Sequence, residues 1–178
     1  MLSLVALIPD EKLGVVVLTN GMKGGLMTAV ANYTIDAFLK VKERDYSAEY
    51  LANTKRYVAS DTRIPDRIKG RVEGTKPSVS TDKYVGTYFA DIYGNIEVKK
   101  EGDKLRLSFE HSKKFNATLE HWHYDVWKIK WDNAEELSWF QFGTVQFKLD
   151  NNLEVKELEF DVPNDDIWFY ELKPVKVR

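Results

Sequence analysis

Two imidazoles lie two residues apart in His121-Trp122-His123, and the third histidine of the chain, His111, is nearby. Alternate residues of a β-strand project from the same face, so a strand here would place His121 and His123 side by side. With a third ligand such as Glu120, His111 or Asp125 they could bind zinc or copper. The sequence favours the other interpretation, in which the histidines are hydrogen-bonded or half exposed. We therefore predict no metal site and keep His121, Trp122 and His123 as candidate ligand-binding residues.

Bulky aromatic side chains form a second set that could do chemistry, as the lining of an apolar cavity. The set is Tyr88, Phe109, Trp122, Trp127, Trp131, Trp139, Phe147 and Trp168. An eight-stranded barrel is either just filled by its own side chains or holds one small ligand. Residues of this size favour filling, so a filled core is expected. A barrel that binds a small apolar or peptide ligand is the alternative.

Composition limits the function classes. The 178 residues allow one medium domain, or one small domain with a fragment of another. The net charge of −2 argues against nucleic acid as a bulk partner, and the lack of cysteine excludes disulfides and thiolate metal sites. No apolar run reaches the roughly 20 residues that span a bilayer. Residues 1–9 lack the basic start and the cleavage site of a signal peptide.

Charge and aromatic content divide the chain. Residues 40–76 carry ten Lys and Arg against six acids, whereas residues 77–178 carry fourteen against nineteen and hold all five Trp. This shift predicts one unit at 1–40 and another at 81–178, joined by a basic, partly helical connector at 41–80.

The first unit is predicted to be a hairpin followed by a helix. Apolar runs at 2–8 and 13–18 have strand length, and residues 9–12 between them have turn chemistry. Residues 15–18 are apolar on both faces, which is typical of a strand inside a larger sheet. Helical spacing of apolar residues predicts a helix over 26–39. A lone hairpin with one helix cannot bury such faces, so the unit is expected to be a piece of something larger.

The second unit is predicted to be all-β. Before it, the connector at 41–80 is predicted to contain a helix over 45–59, and the rest of the connector is interpreted as linker. Short apolar runs separated by turn residues predict strands at 83–88, 95–100, 104–110, 115–121, 124–131, 137–142, 144–149, 155–162 and 167–172. The fold class is therefore mainly β: a closed antiparallel barrel of about eight strands, preceded by a hairpin and a helix.

At this point the residues resemble a family. Residues 4–20, LVALIPDEKLGVVVLTN, look like the end of the serine β-lactamase and penicillin-binding-protein-like hydrolases. There, two last sheet strands are joined by a Pro-containing turn, the second ends at an Asn, and a helix packs on the sheet. Residues 84–88, 93–98 and 119–124 are similar to the lipocalin-like domain of unassigned function that often follows such hydrolases. The resemblance implies an incomplete hydrolase domain of the α/β class at 1–40 and a lipocalin-like barrel at 81–178.

The catalytic motifs of that family have only loose matches in this chain. Ser80-Thr81-Asp82-Lys83 fits Ser-x-x-Lys, but it follows the hydrolase-like helix and is better explained as a capping turn before the first barrel strand. Tyr93-Gly94-Asn95 fits Tyr-x-Asn, but it has the composition of a hairpin turn. We therefore predict no catalytic residue and an inactive isolated chain, although the parent family consists of serine hydrolases.

The expected function follows from that resemblance. The chain would be a non-catalytic C-terminal portion of a serine β-lactamase-like hydrolase, whose barrel modulates active-site access or assembly of the parent. Its expected partner is the rest of the hydrolase domain, or a second copy bound through the hairpin, since Leu4, Val15 and Val17 would otherwise be exposed. We predict no cofactor, no nucleic acid and no membrane span. The compartment is not determined by the sequence, and the parent family often acts in the periplasm or outside the cell.

Overall fold

The computed structural model describes residues 2–21, 24–42 and 44–177, so that Met1 lies outside it. The chain forms two compact units, residues 1–62 and 63–178. The predicted connector at 41–80 is divided between them.

The first unit begins with the predicted hairpin. Strands β1 (Leu2–Ile8) and β2 (Leu13–Thr19) pair antiparallel with Leu2 opposite Thr19 and Ile8 opposite Leu13. A single 3₁₀ turn, Pro9–Glu11, joins them, with its proline at the start, where no N–H is needed. Lys12 closes the turn with a left-handed φ of 50°.

Two helices complete this unit. Helix α1 (Gly24–Leu39) packs on the hairpin and on α2 (Tyr46–Ser60), which is capped by the Asp45 carboxylate accepting a hydrogen bond from the Ala48 N–H at 2.8 Å. Gly25 allows the two helices to approach closely, because a Cβ there would lie 3.2 Å from the Cβ of Tyr50. The sequence predicted both helices to within about two residues.

The two faces of the hairpin have very different exposure. Residues at 2, 4, 6, 8, 13, 15, 17 and 19 are buried or half-buried, whereas those between them are exposed. The prediction that Leu4, Val15 and Val17 would be exposed is wrong, because they lie on the sheltered face of a sheet against which α1 packs. The apolar residues left open are Val5, Leu7, Val16 and Leu18, with exposed fractions of 64, 72, 62 and 77%. We call these four residues the open face.

The second unit is a closed antiparallel barrel with strand order β10-β3-β4-β5-β6-β7-β8-β9. It is preceded by helix α3 (Arg63–Lys69) and by the one-turn helix α4 (Thr81–Tyr84). The strands are β3 (Gly86–Ala90), β4 (Gly94–Glu101), β5 (Lys104–Phe109), β6 (Ala117–His123), β7 (Val126–Trp131), β8 (Thr144–Leu149), β9 (Val155–Asp161) and β10 (Val175–Lys176). The predicted closed barrel of about eight strands is confirmed.

Two of the predicted strands are wrong. Residues 137–142 form turns in which the Leu137 N–H donates to the Asn133 carbonyl and the Phe140 N–H to that of Leu137. Residues 167–172 contain a 3₁₀ turn, Phe169–Glu171, that buries Phe169 and Leu172, three residues apart. In both segments the apolar residues that face the core recur at turn spacing, and this was mistaken for strand alternation.

The barrel interior is filled with side chains. Tyr84, Tyr88, Phe147 and Phe160 are at most 1% exposed and belong to one apolar cluster that contains the inward residues of every long strand. Their rings contact one another directly, for example Tyr84 and Phe147 at 4.6 Å between centroids. Among the described residues, no helix is long and apolar enough to cross a membrane.

Candidate functional site

The predicted site residues lie at the end of β6, where the ladder with β7 is irregular. The register shifts between His121 and His123, so the two residues do not continue one regular alternation. His121 Nε2 is 2.9 Å from the Tyr124 carbonyl, and its ring packs edge-on against Trp127 at 5.4 Å. Trp122 is nearly buried and packs edge-on against Phe142. The two histidines therefore have different partners.

Residues 71–78, which precede the first barrel strand, bind the turn between β6 and β7. The Arg71 guanidinium lies 4.5 Å from the centre of the Trp122 ring, and its Nε donates to the Trp122 carbonyl at 3.0 Å. The Val72 N–H donates to His123 Nδ1 at 3.1 Å, and the Tyr124 N–H donates to Thr75 Oγ1 at 2.9 Å. We refer to residues 71–78 together with residues 121–125 as the clasp.

Asp125 is the hydrogen-bonding centre of the clasp. Its Oδ1 accepts from the Ser78 N–H at 2.9 Å and from the Tyr84 hydroxyl at 2.5 Å, and its Oδ2 accepts from the Ser78 hydroxyl at 2.7 Å. Burial raises the pKa of Tyr84, and the neighbouring Asp125 carboxylate raises it further. Tyr84 therefore stays a hydrogen-bond donor. Through Asp125, Ser78 is linked by hydrogen bonds to Tyr84, whose side chain belongs to the buried core of the barrel.

His123 is neutral in this arrangement. Burial lowers its pKa, and the positive charge of Arg71 and the proximity of His121 lower it further. The Nδ1 atom must be unprotonated to accept from the Val72 N–H. Protonation would remove this acceptor and place a second cation beside Arg71.

The clasp does not have the geometry of a metal centre. Within the part of the chain that the structure describes, no three His, Cys, Asp or Glu side chains converge on one point. One ring nitrogen of each of His121 and His123 is already hydrogen-bonded to backbone. The arrangement fastens residues 71–78 to the barrel through hydrogen bonds, one of which requires unprotonated Nδ1 on His123.

The two motifs that match hydrolase patterns lie in different elements of the barrel unit, one at α4 and the other at the β3–β4 turn. Ser80 is the N-cap residue of α4, as expected, although its hydroxyl makes no capping bond. Lys83, three residues on, bonds Glu154 at 2.5 Å. Tyr93 and Asn95 flank Gly94 in the β3–β4 turn, where Gly94 has a φ of 70°.

The sequence predicts the tripeptide 121–123 as a candidate and names Asp125 only as a possible metal ligand. It does not indicate Arg71 or Ser78, which hold the clasp together with Asp125. Asp125 is 47 residues from Ser78 and 41 from Tyr84. No local pattern reports such a contact. The one available signal is the basic, glycine-containing stretch at 67–76, which was interpreted as solvated linker.

Comparison with known proteins places the barrel in a family. Residues 70–172, well over half of the chain, match the model of the domain of unknown function DUF3471. The chain belongs to the DUF3471 family. This domain is found at the C-terminus of β-lactamase-like proteins, which confirms the resemblance inferred from the sequence. DUF3471 begins at the clasp, one residue before Arg71.

A solved structure is also similar to this chain. It is the C-terminal domain of the penicillin-binding protein Rv0907, with 19% sequence identity and a TM-score of 0.43 over 61% of this chain and 94% of that one. No curated protein matches the chain. The family assignment supports a C-terminal accessory domain of a β-lactamase-like protein. The hairpin and helices of the first unit lie outside the family match.

Proposed function

We propose that this chain is the non-catalytic C-terminal portion of a serine β-lactamase-like hydrolase, whose barrel controls access to the parent's active site or assembly of the parent. The observation that carries the proposal is the open face of the hairpin. In a DUF3471 protein, an N-terminal sheet that exposes four large apolar residues calls for a further domain to cover it.

The cross-strand pairing supports a buried role for that face. Val5 lies opposite Val16, and Leu7 and Leu18 are the diagonal neighbours of that pair on the same face, so that four apolar side chains are adjacent across the two strands. Within the described residues, β1 and β2 pair with no third strand, which leaves the outer edge of each available. Further strands of a hydrolase domain would pair with the free N–H and C=O groups at the edges, and its helices would bury the apolar side chains of the open face.

The barrel suits an accessory role because it is folded around its own residues. Its interior is filled by aromatic and aliphatic side chains, which favours a structural wall over an internal ligand cavity. The clasp fixes the chain where it enters the barrel, so the barrel has a defined orientation relative to residues 71–78. Such a wall can restrict which substrates reach a neighbouring active site.

The direct test uses the full-length protein with its preceding hydrolase domain, compared with a form that ends after residue 62. Turnover is measured on a small ester, a β-lactam and a long peptide, together with molar mass by light scattering. We expect truncation to change kcat/KM for the long peptide about tenfold more than for the ester, or to change the oligomeric state. Truncation that alters neither would overturn the proposal, and Asp103→Asn, on an exposed turn, is the matched full-length control.

The isolated chain provides a second test. We expect no hydrolysis of esters or β-lactams above the rate of buffer, because the Lys83 ammonium is ion-paired with Glu154 and so is not a free base for Ser80. Turnover that disappears in Ser80→Ala would show that the chain is an enzyme in its own right.

A further inference from the structure

One end of the barrel carries a small surface pocket apart from the clasp. It lies between the β3–β4 turn and residues 163–172 and has a volume of about 230 Å³. Its lining includes Ile92, Tyr93, Asp166, Ile167, Trp168 and Glu171. This volume is below the range of drug-sized ligand sites and matches one side chain of a peptide or one small group.

The wall formed by residues 163–172 is held in place. The Asn164 side chain accepts from the N–H groups of Asp166 and Ile167 and donates to the carbonyls of Val162 and Ile167, all within 2.9 Å. Phe169 is 2% exposed and packs against a set of core rings, namely Phe115, Trp131, Phe140 and Phe160. Because the wall is anchored on both sides of Trp168, binding there would cost little ordering entropy.

The apolar lining is unusually exposed for residues of this type. Ile92 is 76% exposed and Trp168 is 61% exposed, although their chain neighbours Tyr93 and Phe169 are partly or fully buried. A Trp ring open to water offers a large flat surface with a negative face. Such a face attracts cations placed over it.

The charge of the pocket is acidic. Asp166 and Glu171 both line it, and neither carboxylate has an ion-pair partner among the described residues. The neighbouring Asp165 differs in being paired with Arg63 at 2.8 Å. A cationic group would therefore find two unpaired carboxylates beside an exposed indole ring.

We propose that this pocket binds a lysine or arginine side chain of a basic peptide segment. These side chains have an apolar stem and a cationic head, and the pocket offers both surfaces. Ile92 and Ile167 contact the methylene stem, the Trp168 ring lies under the charged head, and Asp166 and Glu171 accept its hydrogen bonds. The site goes beyond the accessory role proposed above and does not depend on it.

The pocket has both aliphatic side chains and carboxylates in its lining, and this combination favours a basic side chain over a neutral sugar or an apolar ligand. A neutral sugar would use the Trp ring and the carboxylates but would leave Ile92 and Ile167 without apolar contact. A purely apolar ligand would bury Asp166 and Glu171 without a counter-charge, which is costly. A basic side chain satisfies all of these groups.

The test uses the whole chain and a blocked tetralysine peptide, with binding followed by the indole N–H signal of Trp168 in NMR and by calorimetry. We expect millimolar to micromolar binding that weakens at high salt. Trp168→Ala and the double variant Asp166→Asn/Glu171→Gln should each weaken it about tenfold, while Trp168→Phe keeps part of it. Trp139→Ala, which removes an exposed Trp outside the pocket lining, should leave it unchanged.

Four results would overturn the proposal. They are no binding at millimolar peptide, equal binding of a tetranorleucine peptide that lacks the charge, binding of neutral chitotetraose in place of the peptide, and peptide binding that survives in both pocket variants. The amide spectrum of each variant shows whether the barrel is still folded, so that a lost signal is assigned to the pocket.

Discussion

The barrel and the hairpin contain similar apolar strand residues but bury them to very different extents. In the barrel, Ile96, Leu105 and Val145 are completely buried. In the hairpin, Leu7 and Leu18 are more than 70% exposed although they lie in regular strands. Closing a sheet on itself buries its inner face and removes its edges. In the hairpin, α1 covers one face, but among the described residues the other face and the two outer edges stay open.

The two units therefore differ in whether their own residues bury their apolar surface. The barrel has its own core and is expected to fold without the first unit. The first unit has helices on one side of the sheet only, and its stability depends on whatever covers the open face. Substitutions at matched apolar residues of the two units should therefore have very different effects on stability.

The largest expected effect is truncation of a barrel core ring. Phe147→Ala removes a fully buried side chain that contacts Tyr84 and Tyr88, and should lower the free energy of unfolding by about 3–5 kcal/mol. Leu18→Ala in the open face should change it by less than about 0.5 kcal/mol in the isolated chain. Urea unfolding followed by Trp fluorescence measures the first, and unfolding followed by circular dichroism covers both. Equal losses for the two variants would remove the distinction between the units.

A smaller effect is expected at the clasp. Asp125→Ala leaves the Ser78 N–H and the Tyr84 hydroxyl without their acceptor and should cost about 1–3 kcal/mol. It should also speed trypsin cleavage after Arg71 and Lys76, which mass spectrometry detects. Asp103→Ala, in the exposed β4–β5 turn, serves as the control. Unchanged cleavage in Asp125→Ala would mean that the clasp does not hold residues 71–78.

The smallest expected effect depends on pH. The pKa of His123 is lowered in the folded state, so the unfolded chain, with an ordinary value near 6.5, takes up a proton first as the pH falls. The contribution of His123 to stability is therefore complete above that value and is lost as the pH falls through the folded pKa. The protection factor of the Val72 amide, which is its exchange rate corrected for the pH dependence of the chemical exchange step, should fall a few-fold between pH 7.5 and pH 5.

A matched pair of variants isolates that effect. His123→Asn keeps an acceptor near the Val72 N–H and should flatten the pH dependence, whereas the exposed His111→Asn should not alter it. If the pH dependence persists in His123→Asn, another group controls the opening of the clasp.

The sequence predicts the barrel well because its evidence is local. Alternation at Leu105, Leu107 and Phe109 reports an inward face, and each turn carries Gly, Asn or Asp. Strand β10 was missed because two residues, Val175 and Lys176, are too few to show any period. The barrel is nevertheless closed by that strand, which pairs with both β3 and β9.

The candidate site was harder to predict than the fold. His121 and His123 attracted attention as a pair of metal-ligand types, yet their roles depend on Tyr124, Val72 and a register shift in the strand. The pocket at Trp168 was likewise hidden, because residues 167–172 were predicted to be a strand. The sequence also does not predict which face of the hairpin is covered. Val15 and Val16 are equally apolar, and only the packing of α1 shows that Val15 is the buried one.

Sedimentation of the isolated chain over a hundredfold range of concentration shows whether the open face associates with another surface. Because nothing in the described part of the first unit covers the open face, we expect the isolated chain to associate as its concentration rises. The double variant Leu7→Lys/Leu18→Lys should abolish it, and Glu11→Lys, in the exposed turn of the same hairpin, should not. A wild-type chain that stays monomeric throughout, with the same sedimentation coefficient as the double variant, would contradict the claim that this face is built to be covered.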